Sequence, residues 1–181
     1  PDYHFELTRP GIGLYGGRPF DEAWPVVELT LPVIQTREIA AGESVGYGMG
    51  FVAERKMRVA TVSGGYADGI TRHLSGKGTL WADDTPCPIL GRVSMDLIGV
   101  DVTGLKEVPK ALHLLGRMQG VDAVADVAGT IGYEVLTQLG GRYARHYARG
   151  RRGHIGGSTA KPPGGFLPRK RGGDLVLGCG N

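Results

Sequence analysis

Apolar and polar residues alternate with a period of two along much of the chain. Between Val26 and Ile39, Val27, Leu29, Leu31 and Val33 fall on one face and Glu28 and Thr30 on the other, which predicts a half-exposed strand. Pro32 cannot donate to a ladder, so it predicts an edge or a bulge within that strand. Ala41-Gly42-Glu43 reads as a turn, and Ser44–Val52 resumes extended structure broken by Gly46, Gly48 and Gly50. Met57–Ser63 is a strand by its β-branched content, Thr79–Ala82 and Pro88–Leu90 flank a D-D-T-P turn, and Arg92–Val102 alternates again. Ala111–Leu115 ends the series. Six or so short strands joined by glycine-rich turns predict a mainly β fold, a sheet or a barrel.

The period then lengthens. Val121, Val124, Ala125 and Ala128 recur at helical spacing, with Asp122 near the start to complement the dipole and Gly129 to end the turn. A second short helix is predicted over Tyr133–Leu139, closed by Gly140-Gly141, and Arg142–Tyr147 reads as a last strand. Residues 1–20 are rich in glycine and proline and read as a loop after a short strand-like start. Beyond residue 148 no apolar period survives, and ten of the last 33 residues are glycine, so residues 149–181 are predicted to be disordered.

Composition agrees with a turn-rich β protein: 32 Gly and 11 Pro among 181 residues disfavour a helical bundle, and 41% hydrophobic residues exclude wholesale disorder. The formal charge of +3 hints at a basic protein, but its distribution removes the hint. Residues 1–148 hold 14 Lys/Arg against 17 Asp/Glu, whereas residues 149–181 hold seven Lys/Arg against Asp174 alone. The positive excess lies in the tail, whose one ring is Phe166, so no nucleic-acid partner is expected. Cys87 and Cys179 make neither a disulfide framework nor a zinc quartet and suit a reducing cytoplasm. No run reaches the roughly 18 apolar residues of a membrane span, and no signal peptide is visible. The start at Pro1 rather than Met predicts an incomplete N-terminus.

Candidate chemistry gathers on tyrosines set among glycines: Tyr15 in GLYGG, Tyr47 in GYGMG, Tyr66 in GGYADG and Tyr133 in IGYE. Glycine lets the backbone approach a ligand, and a phenol can serve as a general acid or base. Arg9-Pro10-Gly11-Ile12-Gly13 could turn backbone N–H groups toward a phosphate, although it matches neither a Walker loop nor a dinucleotide fingerprint. Asp68, Asp96 and Asp101 are possible acids, but no spacing of His, Cys and carboxylates supports a metal site. Ser94 and Cys87 have no base beside them in sequence.

Taken in series, RPGIGLYG (9–16), SVGYGMGF (44–51), VATVSGGYADG (59–69), CPILGRVSMDLIGVDVT (87–103) and GTIGYEVLT (129–137) resemble the alanine racemases, over about residues 1–147. That family interconverts L- and D-alanine with pyridoxal 5'-phosphate. The resemblance implies that residues 1–20 are the end of an N-terminal (β/α)₈ barrel whose remainder is missing. Residues 21–148 would be the C-terminal β-barrel-like domain with two short helices. Residues 149–181 match nothing in the family and would be a Gly/Arg-rich tail, disordered or arising from a frameshift.

The resemblance also assigns roles. Arg9 matches the arginine that donates to the cofactor's pyridine nitrogen, Gly11 and Ile12 the backbone groups that bind its phosphate, and Tyr133 the tyrosine whose hydroxyl reaches that phosphate. Racemisation needs an acid/base on each face of the α-carbon. Tyr47 matches the catalytic tyrosine on one face. The lysine of the other face, which also holds the cofactor, has no counterpart among the lysines of this chain, so the chain alone is expected to be inactive. Tyr66 and Met95 match residues lining the substrate pocket, and Asp96 would support that loop. In the family, Tyr47, Tyr66 and Met95 would serve the partner subunit of a head-to-tail homodimer, whereas Arg9, Gly11, Ile12 and Tyr133 would serve the chain's own barrel. D-alanine for peptidoglycan is the implied product. A non-catalytic β-barrel binding module is the rival reading, using the same glycine loops without chemistry.

Overall fold

A computed structural model describes Leu7 and residues 11–19, 24–149 and 173–179. Six strands close a barrel: β1 (Val27–Ile39), β4 (Met57–Ser63), β5 (Thr79–Ala82), β6 (Thr85–Leu90), β7 (Leu97–Asp101) and β8 (Ala111–Leu115). The order β4-β7-β6-β5-β8-β1 is closed by a further β1–β4 pairing. The alternation seen in the sequence points inward, so that Leu29, Leu31, Val62, Leu80, Ile98, Val100 and Leu112 are fully buried.

Strand β1 closes the ring because it changes partner halfway along. Its first half pairs with β8 from Leu29 to Pro32, and its second half pairs with β4 from Val33 to Ile39. The register slips between Val33 and Gln35, directly after Pro32. Lacking an N–H, Pro32 costs no ladder bond where the neighbour changes, and the bulge turns the strand round the barrel. A small hairpin of β2 (Ser44–Val45) and β3 (Phe51–Val52) projects between β1 and β4. Arg92–Asp96, expected to be extended, leaves the ladder before β7 because its backbone is used by a neighbouring loop described below.

Helix α1 (Val121–Ala128) has the bounds the periodicity predicts and ends on Gly129 at φ 72°, whose N–H returns to Ala125 and Asp126 carbonyls. Its apolar stripe, Val121, Val124, Ala125 and Ala128, packs on the barrel core. Helix α2 (Gly132–Gln138) follows, then β9 (Ala144–Arg149).

One expectation is corrected. Asp174–Cys179, read in the sequence as part of a disordered tail, forms β10, parallel to β9 and antiparallel to β1. Leu175 is buried against the core on that strand. A run of four residues, Asp174-Leu175-Val176-Leu177, is too short to stand out among glycines and arginines. It becomes a strand because the edge of β1 between Val27 and Thr30 offers unpaired backbone groups. Residues 150–172, 180 and 181, which carry the rest of that expectation, lie outside the described residues.

Candidate functional site

Three loops carry Tyr47, Tyr66 and Met95, and they touch. Tyr47 tops the β2–β3 hairpin, where Gly46, Gly48 and Met49 all adopt positive φ, and it is 80% exposed. The hairpin packs against the start of the Gly91–Asp96 loop: a Cβ on Gly50 would lie 3.2 Å from the Arg92 nitrogen, and one on Gly91 3.0 Å from the Val45 carbonyl. That loop in turn is bonded to the Gly64–Gly69 loop. The N–H groups of Gly64, Tyr66 and Ala67 donate to the carbonyls of Asp96, Ser94 and Met95 at 2.8, 3.0 and 3.0 Å. Gly65 is required there, since a Cβ would fall 2.3 Å from the Ser94 oxygen. Tyr66 and Met95 are left about half exposed on this joint surface.

The same pair of loops is tied by charge. Asp68 is buried, and its Oδ2 accepts the Gly65 N–H at 2.9 Å. Arg142, in the link between α2 and β9, places Nε 3.2 Å from Asp68 Oδ1 and donates from Nη2 to Asp96 Oδ1 at 2.7 Å. Burial pushes the Asp68 carboxyl up from its ordinary value, against the pull of the Gly65 N–H and of Arg142. The Tyr143 hydroxyl, also buried, has no hydrogen-bond partner among the described residues, and burial raises it strongly, so it stays neutral. Residue patterns flag Asp68 and Asp96 as acids but give no sign of Arg142, which is 74 and 46 positions away.

A second cluster forms round Tyr133, at the start of α2. The Ile12 N–H donates to the Tyr133 hydroxyl at 3.0 Å. A Cβ on Gly11 would lie 2.5 Å from that hydroxyl, so only glycine leaves the approach open. Segment 11–19 is held in place by α1: the Arg18 N–H donates to Asp122 at 2.7 Å, and its guanidinium pairs with Asp126. A cavity of about 410 Å³ opens here, lined by Gly11, Ile12, Tyr133, Arg145, Leu175 and Leu177 among others. Arg9 lies outside the described residues. The structure thus brings Gly11, Ile12 and Tyr133 together, and separately joins the loops of Tyr47, Tyr66 and Met95. The C-terminal end of α2 meets the second group, where a Cβ on Gly69 would lie 1.9 Å from the Gln138 oxygen.

Another cavity, of about 480 Å³, contains none of these residues and is lined by Glu28, Trp81 and His113 on β1, β5 and β8. Among the described residues there is no cluster of three or more metal-ligating side chains, and no helix is long and apolar enough to cross a membrane.

The arrangement defines a closed β-barrel domain that displays its polar chemistry on outward loops rather than enclosing it. Residues 26–147 match the family described as alanine racemase, C-terminal domain. The alanine racemase of Dinoroseobacter shibae is 62% identical over 148 residues, which are 82% of this chain and 42% of that protein. That of Cereibacter sphaeroides is 63% identical over 147 residues, 81% of this chain and 42% of the other. Among solved structures, alanine racemase from Bartonella henselae with covalently bound pyridoxal phosphate aligns with a TM-score of 0.74 at 42% identity, covering 81% of this chain and 43% of that one. The biosynthetic alanine racemase of Pseudomonas aeruginosa aligns with a TM-score of 0.72 at 40% identity, covering 77% and 42%. The chain belongs to the alanine racemase family, and it spans about two-fifths of the length of these relatives.

Proposed function

We propose that the chain is the C-terminal portion of an alanine racemase that interconverts L- and D-alanine with pyridoxal 5'-phosphate. The complete enzyme would act as a head-to-tail homodimer in a bacterial cytoplasm and supply D-alanine for peptidoglycan. The observation that carries this reading is the family match over residues 26–147, which contains Tyr47, Tyr66, Met95 and Tyr133.

The residues near Tyr133 fit a phosphorylated cofactor. Gly11 keeps open the space that a Cβ would fill beside the Tyr133 hydroxyl, and the Ile12 N–H meets the same oxygen. With its oxygen accepting from Ile12, the phenol keeps its own proton to donate to an anion. Gly11, Ile12 and Tyr133 would hold the phosphate, and Arg9 would donate to the ring nitrogen. A guanidinium does not readily give up its proton, so that nitrogen stays largely unprotonated, which favours racemisation over transamination. The cofactor, when bound, acidifies the α-hydrogen of the amino acid it carries.

Tyr47 then takes or returns a proton at its hydroxyl on one face of the α-carbon, and a lysine of the barrel serves the other face. The exposure of Tyr47 suits delivery into a neighbouring subunit's site. Tyr66 and the Met95 backbone would line the substrate pocket from the same side. Because no lysine in a matching context lies among the 181 residues, the chain alone supplies one half of the acid/base pair and is inactive by itself.

The test is the complete racemase made by joining this chain to the N-terminal segment of the Dinoroseobacter shibae enzyme. Tyr47→Phe should lower alanine racemisation by about 10²- to 10⁴-fold while bound pyridoxal phosphate keeps its absorbance. Unchanged racemisation would refute the assignment and favour a binding module.

A further inference from the structure

The turn with Tyr66 and the loop with Met95 leave regular ladder pairing just where their side chains become exposed. Beyond the three backbone hydrogen bonds already described, one side chain from elsewhere in the fold bridges the two loops. Arg142 contacts Asp68 in the first loop at 3.2 Å and Asp96 in the second at 2.7 Å. Asp68 has only 2% of its surface exposed, and a buried carboxylate needs a counter-charge. Among the described residues, Arg142 is the one cation in an ion pair with it. Tyr143, adjacent and buried, cannot take that role, being neutral.

We propose that Arg142 is a positioning residue for the amino-acid pocket. It clamps the Tyr66 turn to the Met95 loop through Asp68 and Asp96, so that both are presented to substrate as one rigid surface. The role rests on the racemase reading. Its geometry sets it apart from the acid/base residue, because Tyr47 stands on the β2–β3 hairpin, which packs on the Gly91–Arg92 end of the Met95 loop. Loss of the clamp should therefore weaken substrate binding more than the proton-transfer step.

Two readouts test it. In the 181-residue chain, amide hydrogen exchange at Tyr66 and Ala67 should quicken roughly tenfold in Arg142→Ala and in Asp96→Ala, while Val62 and Ile98 in the barrel stay unchanged. In the joined racemase, Arg142→Ala should raise KM for alanine roughly tenfold with kcat within about twofold, and Arg142→Lys, which can reach one carboxylate but not fork between two, should recover part of the loss. Asp96→Ala removes an exposed partner and serves where Arg142→Ala fails to fold. Unchanged exchange at Tyr66 and Ala67 would overturn the clamp whatever the kinetics. Faster exchange with an unchanged KM would overturn its role in substrate binding. If Tyr47→Phe also leaves activity unchanged in that enzyme, the racemase reading has failed and the positioning role falls with it.

Discussion

The Ile12 N–H donates to the Tyr133 hydroxyl at 3.0 Å, joining residues 121 positions apart. The contact welds the Gly-rich N-terminal turn to the first turn of α2 and defines one wall of the cavity beside it. Tyr133→Phe deletes the acceptor and leaves a half-buried N–H unpaired, a loss of about 1 kcal/mol. In the joined racemase, where the hydroxyl would donate to the phosphate, its loss should weaken pyridoxal phosphate retention about fivefold, read as a fall in cofactor absorbance on dilution.

Gly69 is the point where the Tyr66 turn passes under the end of α2. Its φ is +90°, and a Cβ would meet the Gln138 oxygen at 1.9 Å. Gly69→Ala combines a left-handed backbone with a clash against main chain that cannot swing aside. It should cost about 2–4 kcal/mol in urea unfolding of the chain, whereas Gly42→Ala, at a similar φ but in open space, should cost about 1 kcal/mol.

Strand β10 contributes Leu175 to the core and pairs with both β1 and β9. Leu175→Ala should lower stability by about 2–3 kcal/mol, seen as a lower urea midpoint, because the cavity it leaves is bounded by strands that cannot close on it. A tail that does not pack would give no change.

Glu28 on β1 lies 3.0 Å from the His113 ring on β8. The hydrogen bond from His113 holds the carboxyl below its ordinary value of 4.5, and burial offsets part of that effect. A carboxyl lowered by folding adds stability that is complete above the unfolded value and is lost as pH falls through the folded one. The stability gap between the native chain and Glu28→Gln should therefore shrink as pH falls below 4.5, measured by urea midpoints at a series of acidic pH values.

Much of the barrel was legible in the residues because burial on one face of a strand leaves a period of two, and α1 because its stripe repeats at helical spacing. Those signals are local, and the strands from Val27 to Leu115 and the helix from Val121 to Ala128 follow from them. The glycine-flanked tyrosines were visible for the same reason, since turns of positive φ demand glycine nearby.

Other features depended on which segments meet. That β1 closes a ring by exchanging β8 for β4 at Pro32, that Asp174–Cys179 finds the free edge of β1, and that Arg142 reaches Asp68 and Asp96 are matters of distance across the fold. A strand of six residues or a single arginine carries no periodic signature. Its partner is set by the edge or the buried charge that the rest of the chain leaves unsatisfied. The sequence by itself determined the barrel strands, the two helices and the loops that bear the chemistry. Only the tertiary structure decided how those loops are bound together, because unpaired backbone groups and buried carboxylates exist only once the barrel has closed.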